Sequence, residues 1–224
     1  MNVAENIKKF RALVPHDVEI VAVSKFHPSS MIMEAYEAGQ KSFGESRVQE
    51  FVEKEKELPK DIKWHFIGHL QTNKVKAIIG KTYMVESVDS ERLLYLIDRE
   101  SEKAGVVTNI LLQVHVAAEE AKFGFFPEEL KEYLASGKFE ELKATKICGL
   151  MGMATNTDDE ERVKHDFATL HSLFKDVKEN YGKMLPHFEK LSMGMSGDWP
   201  LAVEEGSNIV RIGSAIFGDR IYNN

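Results

Sequence analysis

Eight short apolar runs recur along this chain, each followed by a stretch of helical periodicity, and that alternation constrains the fold more than any other feature. The runs predict strands over 18–25, 41–44, 63–68, 82–87, 108–116, 146–153, 190–195 and 209–217. The clearest helix carries Val163, Phe167, Leu170, Phe174 and Val177 at alternating spacings of four and three, after the acidic turn Asp158-Asp159-Glu160-Glu161. Other helices are expected to start near Ser29, Ser46, Asn73, Ser90, Pro127 and Asp198. Eight such units in 224 residues, with no long linker or low-complexity segment, predict an α/β fold: a single (β/α)8 TIM barrel domain spanning 1–224. The runner-up, an open doubly wound sheet, needs a Gly-rich first turn that Ser24-Lys25-Phe26-His27 does not provide. A helix over 5–14, ahead of the first strand, would close the bottom of the barrel.

Composition narrows the function. With 36 acidic against 29 basic side chains the net charge is -7, so no overall basic field exists to hold a nucleic acid. One cysteine, Cys148, rules out an internal disulfide framework and suits a reducing compartment. The first ten residues lack an apolar signal core, and no apolar run is long enough to span a membrane. A cytoplasmic protein without membrane partners is expected, and a monomer.

In a barrel the functional face lies at the carboxyl ends of the strands, and the unusual residues gather there. The run Val18-Glu19-Ile20-Val21-Ala22-Val23-Ser24 ends in Lys25, which alternation places on the face of Val21 and Val23. Taken alone, the commoner reading of such a lysine is an exposed strand cap. The loops after the seventh and eighth strands change that reading. Ser192-Met193-Gly194-Met195-Ser196-Gly197-Asp198 and Arg211-Ile212-Gly213-Ser214-Ala215-Ile216-Phe217-Gly218 are rich in small residues, and barrels often bind phosphate at these two loops. Free N–H groups, the Ser196 and Ser214 hydroxyls and a short helix from Asp198 would hold the anion; the plainer alternative is that the glycines only serve turns.

A lysine and a phosphate site at one barrel mouth suggest a phosphorylated aldehyde held as a Schiff base. A lysine at its ordinary pKa of about 10.4 is almost wholly protonated at pH 7, and burial that lowers it by about three units leaves roughly a quarter neutral and nucleophilic. Pyridoxal 5′-phosphate is the commonest ligand of this description. Its ring nitrogen needs a partner, and Arg211, two residues before Gly213 and on the same face, is the candidate; the alternative for Arg211 is a surface ion pair. Arginine only donates and keeps its proton, so the pyridine nitrogen would stay unprotonated, weakening the electron sink of this cofactor.

Longer motifs add to these residues. Val21-Ala22-Val23-Ser24-Lys25, Phe43-Gly44-Glu45, Val48-Gln49-Glu50, Trp64-His65-Phe66-Ile67-Gly68-His69-Leu70-Gln71-Thr72-Asn73-Lys74, Gly149-Leu150-Met151 and the two loops quoted above resemble the YggS/PROSC family of pyridoxal phosphate homeostasis proteins. The likeness runs in order from about 8 to 220. It implies a barrel similar to the N-terminal domain of alanine racemase, with pyridoxal 5′-phosphate on Lys25, its phosphate on Ser196, Gly213 and Ser214, Arg211 near the ring nitrogen and Asn73 lining the site. It also implies a role in B6 vitamer homeostasis, holding the cofactor and passing it to apo-enzymes that require it, with no established turnover and so no catalytic residues. Alanine racemases take a second base, a tyrosine, from an additional C-terminal domain of a partner subunit. The last strand here is predicted to end near Phe217, so substantial racemase turnover is not expected, and Arg211 at the ring nitrogen separately disfavours transaminase turnover. Two alternatives are a racemase-type enzyme on the same cofactor and a barrel enzyme acting on a phosphorylated sugar.

One departure is visible. Many members of the family read Gly-Glu-Asn-Tyr where this chain has Gly44-Glu45-Ser46-Arg47; serine still suits a helix start. Glu45 and Gln49 would share a helix face, serving either site or fold. His65 and His69 alternate with Ile67 but lack nearby carboxylates, so no metal site is expected. Met151, Met153, Met193 and Met195 read as core packing, Cys148 as a buried small apolar residue, and Glu53-Lys54-Glu55-Lys56-Glu57 as a solvated helix end.

Overall fold

The computed structural model describes residues 2–118 and 123–218, so the end of the resembling stretch, at Arg220, lies outside the described residues. Eight parallel strands close into a barrel in chain order: β1 (Glu19–Val23), β2 (Ser42–Glu45), β3 (Lys63–Phe66), β4 (Met84–Val88), β5 (Thr108–Val114), β6 (Thr145–Gly152), β7 (Lys190–Met195) and β8 (Ile209–Ile212). β8 pairs back onto β1 with Val21 opposite Arg211, so the sheet has no open edge and the doubly wound alternative is ruled out. The surrounding helices are α1 (Val3–Leu13), α2 (Ser29–Glu37), α3 (Val48–Glu57), α4 (Val75–Ile78), α5 (Glu91–Ala104), α6 (Pro127–Ala135), α7 (Glu160–Tyr181), α8 (Trp199–Glu204) and α9 (Ser214–Phe217). Among the described residues, no helix is long and apolar enough to cross a membrane.

Local signals fix several helix ends. Asn2 accepts from the Glu5 N–H, Ser90 from Leu93, and Asp159 from Glu161 and Arg162, each satisfying donors that a helix start leaves unpaired. Outward strand residues such as Ala22, Phe43, Phe66 and Ile212 bury against Ile32, Phe51, Phe167 and Ile216 of the helices in one continuous core. A smaller apolar cluster of Met84, Leu111, Cys148 and Met151 comes from the remaining face of β4, β5 and β6. A hydrogen bond from Ser192 on β7 to Glu86 on β4, at 2.5 Å, crosses the barrel interior.

The end of the eighth strand and the place of the first helix differ from expectation. The eighth strand ends at Ile212, because Gly213 leaves the extended conformation (φ −113°, ψ −85°) and residues 214–217 form α9. The first helix does not close the bottom of the barrel. It lies in the outer ring against α2 and α9, with Asn6 Nδ2 donating to the Ile216 carbonyl at 2.9 Å and Phe10 edge-on to Trp199. Its buried face, Val3, Ile7 and Phe10, gains about 1.5–3 kcal/mol per fully buried large side chain in that position.

Candidate functional site

The carboxyl ends of the strands surround a cavity of about 270 Å³. The face from which Lys25 enters is the interior one: a Cβ built on Gly44 would meet Val21 Cγ1 at 3.0 Å, Ile67 Cδ1 at 3.2 Å and Val23 Cγ2 at 3.5 Å. Val21 and Val23 therefore point into the barrel, and half-buried Lys25, next in the alternation, lines its mouth.

Ser196, Gly197, Gly213, Ser214 and Gly218 form one wall. The two loops that carry them are tied together, since the Gly213 N–H donates to Ser196 Oγ at 3.1 Å. A Cβ on Gly213 would lie 3.3 Å from Val23 Cβ and 3.4 Å from the Val23 carbonyl, tighter than ordinary contact, so glycine lets the β8 loop close against β1. Asp198 Oδ1 accepts from the Met195 N–H at 2.5 Å and holds the turn into α8.

Arg211 lines the cavity yet is only 4% exposed, which rules out the surface ion pair. Its Nη1 donates to Ser192 Oγ at 2.6 Å and its Nη2 to the Gly152 carbonyl at 2.9 Å, with Glu86 Oε2 at 3.8 Å from Nη1. Glu86 Oε1 lies 2.6 Å from His65 Nδ1, and Glu19 Oε1 faces His65 Nε2 at 3.7 Å, an ion-pair separation. Burial opposes charge on His65, but the carboxylates of Glu19 and Glu86 overcome it and raise its pKa to about 9. Burial likewise pushes Glu19 upward, yet His65, helped by Ser42 and Lys190, brings it down to about 2. Glu86 is held below the usual carboxylate range by His65, Arg211 and Ser192 against the same burial. Burial lowers the Arg211 pKa against the fields of Glu86 and Asp198, and a guanidinium keeps its proton regardless. A row of alternating charges, Glu19, His65, Glu86 and Arg211, thus runs through the barrel interior beneath the cavity.

This corrects the reading of His65 as lacking carboxylates: they come from β1 and β4, far away in sequence. His69 points elsewhere, exposed at the mouth with Nδ1 3.0 Å from Asp89 Oδ2 and its ring stacked on Phe123. Among the described residues no three His, Cys, Asp or Glu side chains converge as a metal site.

Several lining residues were not anticipated. His27 is 4% exposed, its ring stacked on Phe217 at 5.3 Å and its Nδ1 without a hydrogen-bond partner. Burial and the field of Lys54 lower its pKa, against Glu50. Its one signal in the sequence was its place two residues after Lys25. Met151, Met153 and Met195 line the cavity instead of serving only as packing, while Met193 stays in the core. Ser46 lines it too, and the Arg47 guanidinium sits 4.2 Å over the Phe26 ring. Glu45 is fully buried against Ser24, whereas Gln49 is exposed. Lys54, expected on a solvated end, is buried beside Glu45. Asn73 is exposed on a 3₁₀ turn (Thr72–Lys74) and is the one expected site residue outside the lining. Cys148 is buried, which raises its thiol pKa.

The alanine racemase N-terminal domain family matches residues 1–221 of this chain. The chain belongs to that family. Within it, the chain is 42% identical over 208 residues to the pyridoxal phosphate homeostasis protein of Aquifex aeolicus (strain VF5), covering 91% of this chain and 88% of that protein. The Schizosaccharomyces pombe protein of the same name is 39% identical, with 91% and 85% covered. Among solved structures, PipY of Synechococcus elongatus PCC7942 with PLP bound superposes with a TM-score of 0.85 at 35% identity, over 96% of this chain and all of that one. Alanine racemase of Clostridium difficile 630 shares the fold, with a TM-score of 0.78 at 15% identity over all of this chain and 56% of that one.

Proposed function

We propose that this protein binds pyridoxal 5′-phosphate in the cavity at the barrel mouth, holds it as a Schiff base on Lys25, and serves B6 vitamer homeostasis in the cytoplasm as a monomer that passes the cofactor to apo-enzymes. The observation that carries the reading is the convergence of Lys25, the Ser196–Gly213–Ser214 wall and buried Arg211 on one cavity. The names of the homologous homeostasis proteins and the PLP-bound PipY support it.

The residues fit the group. At about 270 Å³ the cavity suits a compact ligand, just below the range of ~300–1,000 Å³ typical of drug-sized pockets. Ser196 and Ser214 would offer hydroxyls to a phosphate beside the Gly213 N–H, which donates to Ser196 Oγ. Arg211, fixed from behind by Ser192 and Gly152, would present its remaining donors to a ring nitrogen. When bound, the cofactor supplies an aldehyde for a lysine amine and a ring that can delocalise electrons. Lys25 would be the nucleophile in its neutral form.

Phosphate is the chief handle in this account. Pyridoxal without phosphate should bind far more weakly than its phosphate ester, and Ser196→Ala combined with Ser214→Ala should narrow the gap; equal affinity of the two vitamers for the wild type would refute it.

The reading is of a holder, not a racemase or transaminase. Arginine at the ring nitrogen weakens the electron sink, and among the described lining residues there is no tyrosine to face Lys25 as a second base. With cofactor-saturated protein, a panel of amino acids should lose no optical activity. A turnover of about 1 per second that vanishes in Lys25→Ala would establish the racemase reading instead.

A further inference from the structure

The turn that carries Lys25 is pinned on both sides by a buried charge cluster outside the cavity. Ahead of Lys25, Lys54 Nζ donates to the Ser24 carbonyl at 2.9 Å, and the Ser24 hydroxyl donates to Glu45 Oε1 at 2.7 Å. After it, the Phe26 N–H donates to Glu50 Oε2 at 2.8 Å. Lys54 joins the two carboxylates, 2.7 Å from Glu45 Oε1 and 3.3 Å from Glu50 Oε2. Glu50 and Lys54 lie one turn apart on α3, on the face that meets β1 and β2.

Two observations argue that this cluster does more than hold the fold. Phe26 has φ 66°, a left-handed conformation that a non-glycine residue keeps only where its surroundings over-determine it. The Glu50 bond to its N–H is such a restraint. Lys54 is only 7% exposed, and buried ion pairs can often be replaced by apolar residues without loss of stability, so stability alone does not explain a lysine there.

We propose that Lys54, Glu45 and Glu50 are positioning residues that fix the direction in which Lys25 enters the cavity, and so control imine formation rather than affinity for the phosphate and ring. This rests on the reading of the cavity given above. Imine formation joins the Lys25 nitrogen to the aldehyde carbon and releases the aldehyde oxygen as water with two of the amine hydrogens. It needs the nitrogen aimed at the carbon, and small displacements of a reacting group carry large rate penalties. The residues that this reading gives to phosphate and ring nitrogen, Ser196, Gly213, Ser214 and Arg211, lie on β8 and the loops after β7 and β8, on other elements than the cluster.

The test separates the two steps with pyridoxine 5′-phosphate, which carries phosphate and ring but no aldehyde. In Lys54→Met and the milder Glu50→Gln, pyridoxine 5′-phosphate affinity should stay within about twofold of wild type, while the rate of imine absorbance on mixing with pyridoxal 5′-phosphate falls about tenfold or more in Lys54→Met and less in Glu50→Gln. Lys60→Met, which removes an exposed ion pair with Glu55 just beyond the same helix, should change neither. Wild-type imine rates in both cluster variants would overturn the proposal. Loss of pyridoxine 5′-phosphate affinity in step with the imine rate would overturn it too, because the cluster would then shape the whole cavity. If the wild type forms no imine at all, the binding reading beneath the proposal fails, a result distinct from either.

Discussion

Lys25 could be singled out from its strand because alternation with Val21 and Val23 is a local property, and the small residues at 213 and 214 because phosphate loops are local too. What holds these residues was less legible. Lys54 sits in a run of alternating charge that reads as solvated, although Phe51, Lys54 and Leu58, at spacings of three and four, share one buried stripe. His65 gains its charge from Glu19 and Glu86, 46 and 21 residues away, and no local pattern announces such pairings. Arg211 offers a direct test at this scale. Arg211→Met removes the partner of Ser192 and Gly152 and part of the compensation of Glu86, and breaking a buried charged network from one side costs about 3–5 kcal/mol. Urea unfolding should show that loss; a change under about 1 kcal/mol would mean the guanidinium is not part of the buried framework.

Among elements, the strands were recoverable because each is a short apolar run bounded by turn residues. The end of β8 was not, since residues 214–217 are apolar enough to read as strand or helix in so short a stretch. Two glycines, one in β6 and one after α5, show what a missing side chain does. At Gly149 a Cβ would lie 1.7 Å from the Lys190 carbonyl on β7, beside the register shift between β5 and β6, so no side chain fits without separating the two strands. Gly105, in the left-handed cap of α5, has nothing within 4 Å of its missing Cβ. Gly105→Ala should therefore cost only about 1–2 kcal/mol of conformational strain. Gly149→Ala should cost about 3 kcal/mol or more, because strain and overpacking add. Thermal melts of the two variants would check the ranking, and equal losses would contradict the register described for β6.

At the scale of the whole molecule, the interior charge row makes stability depend on pH in a defined way. His65 is raised to about 9, so its contribution is complete below its unfolded value, about 6.5, and is lost as pH rises through 9. Glu19 is lowered to about 2, so its contribution is present above about 4.5 and is lost as pH falls through 2. The apo-protein should be most stable between these limits, and His65→Leu should lower Tm while flattening the alkaline decline. A wild-type Tm that is constant from about pH 6.5 to 10 would contradict the assignment. The barrel brings distant strands to one mouth, and the proposed function depends on what Lys25 does there. The most direct measurement is borohydride reduction of the protein saturated with pyridoxal 5′-phosphate, followed by mass mapping of the fixed adduct. The adduct is expected on the peptide containing Lys25, and it should disappear, with the visible imine band, in Lys25→Ala. An adduct of wild-type yield on another lysine in that variant would contradict it.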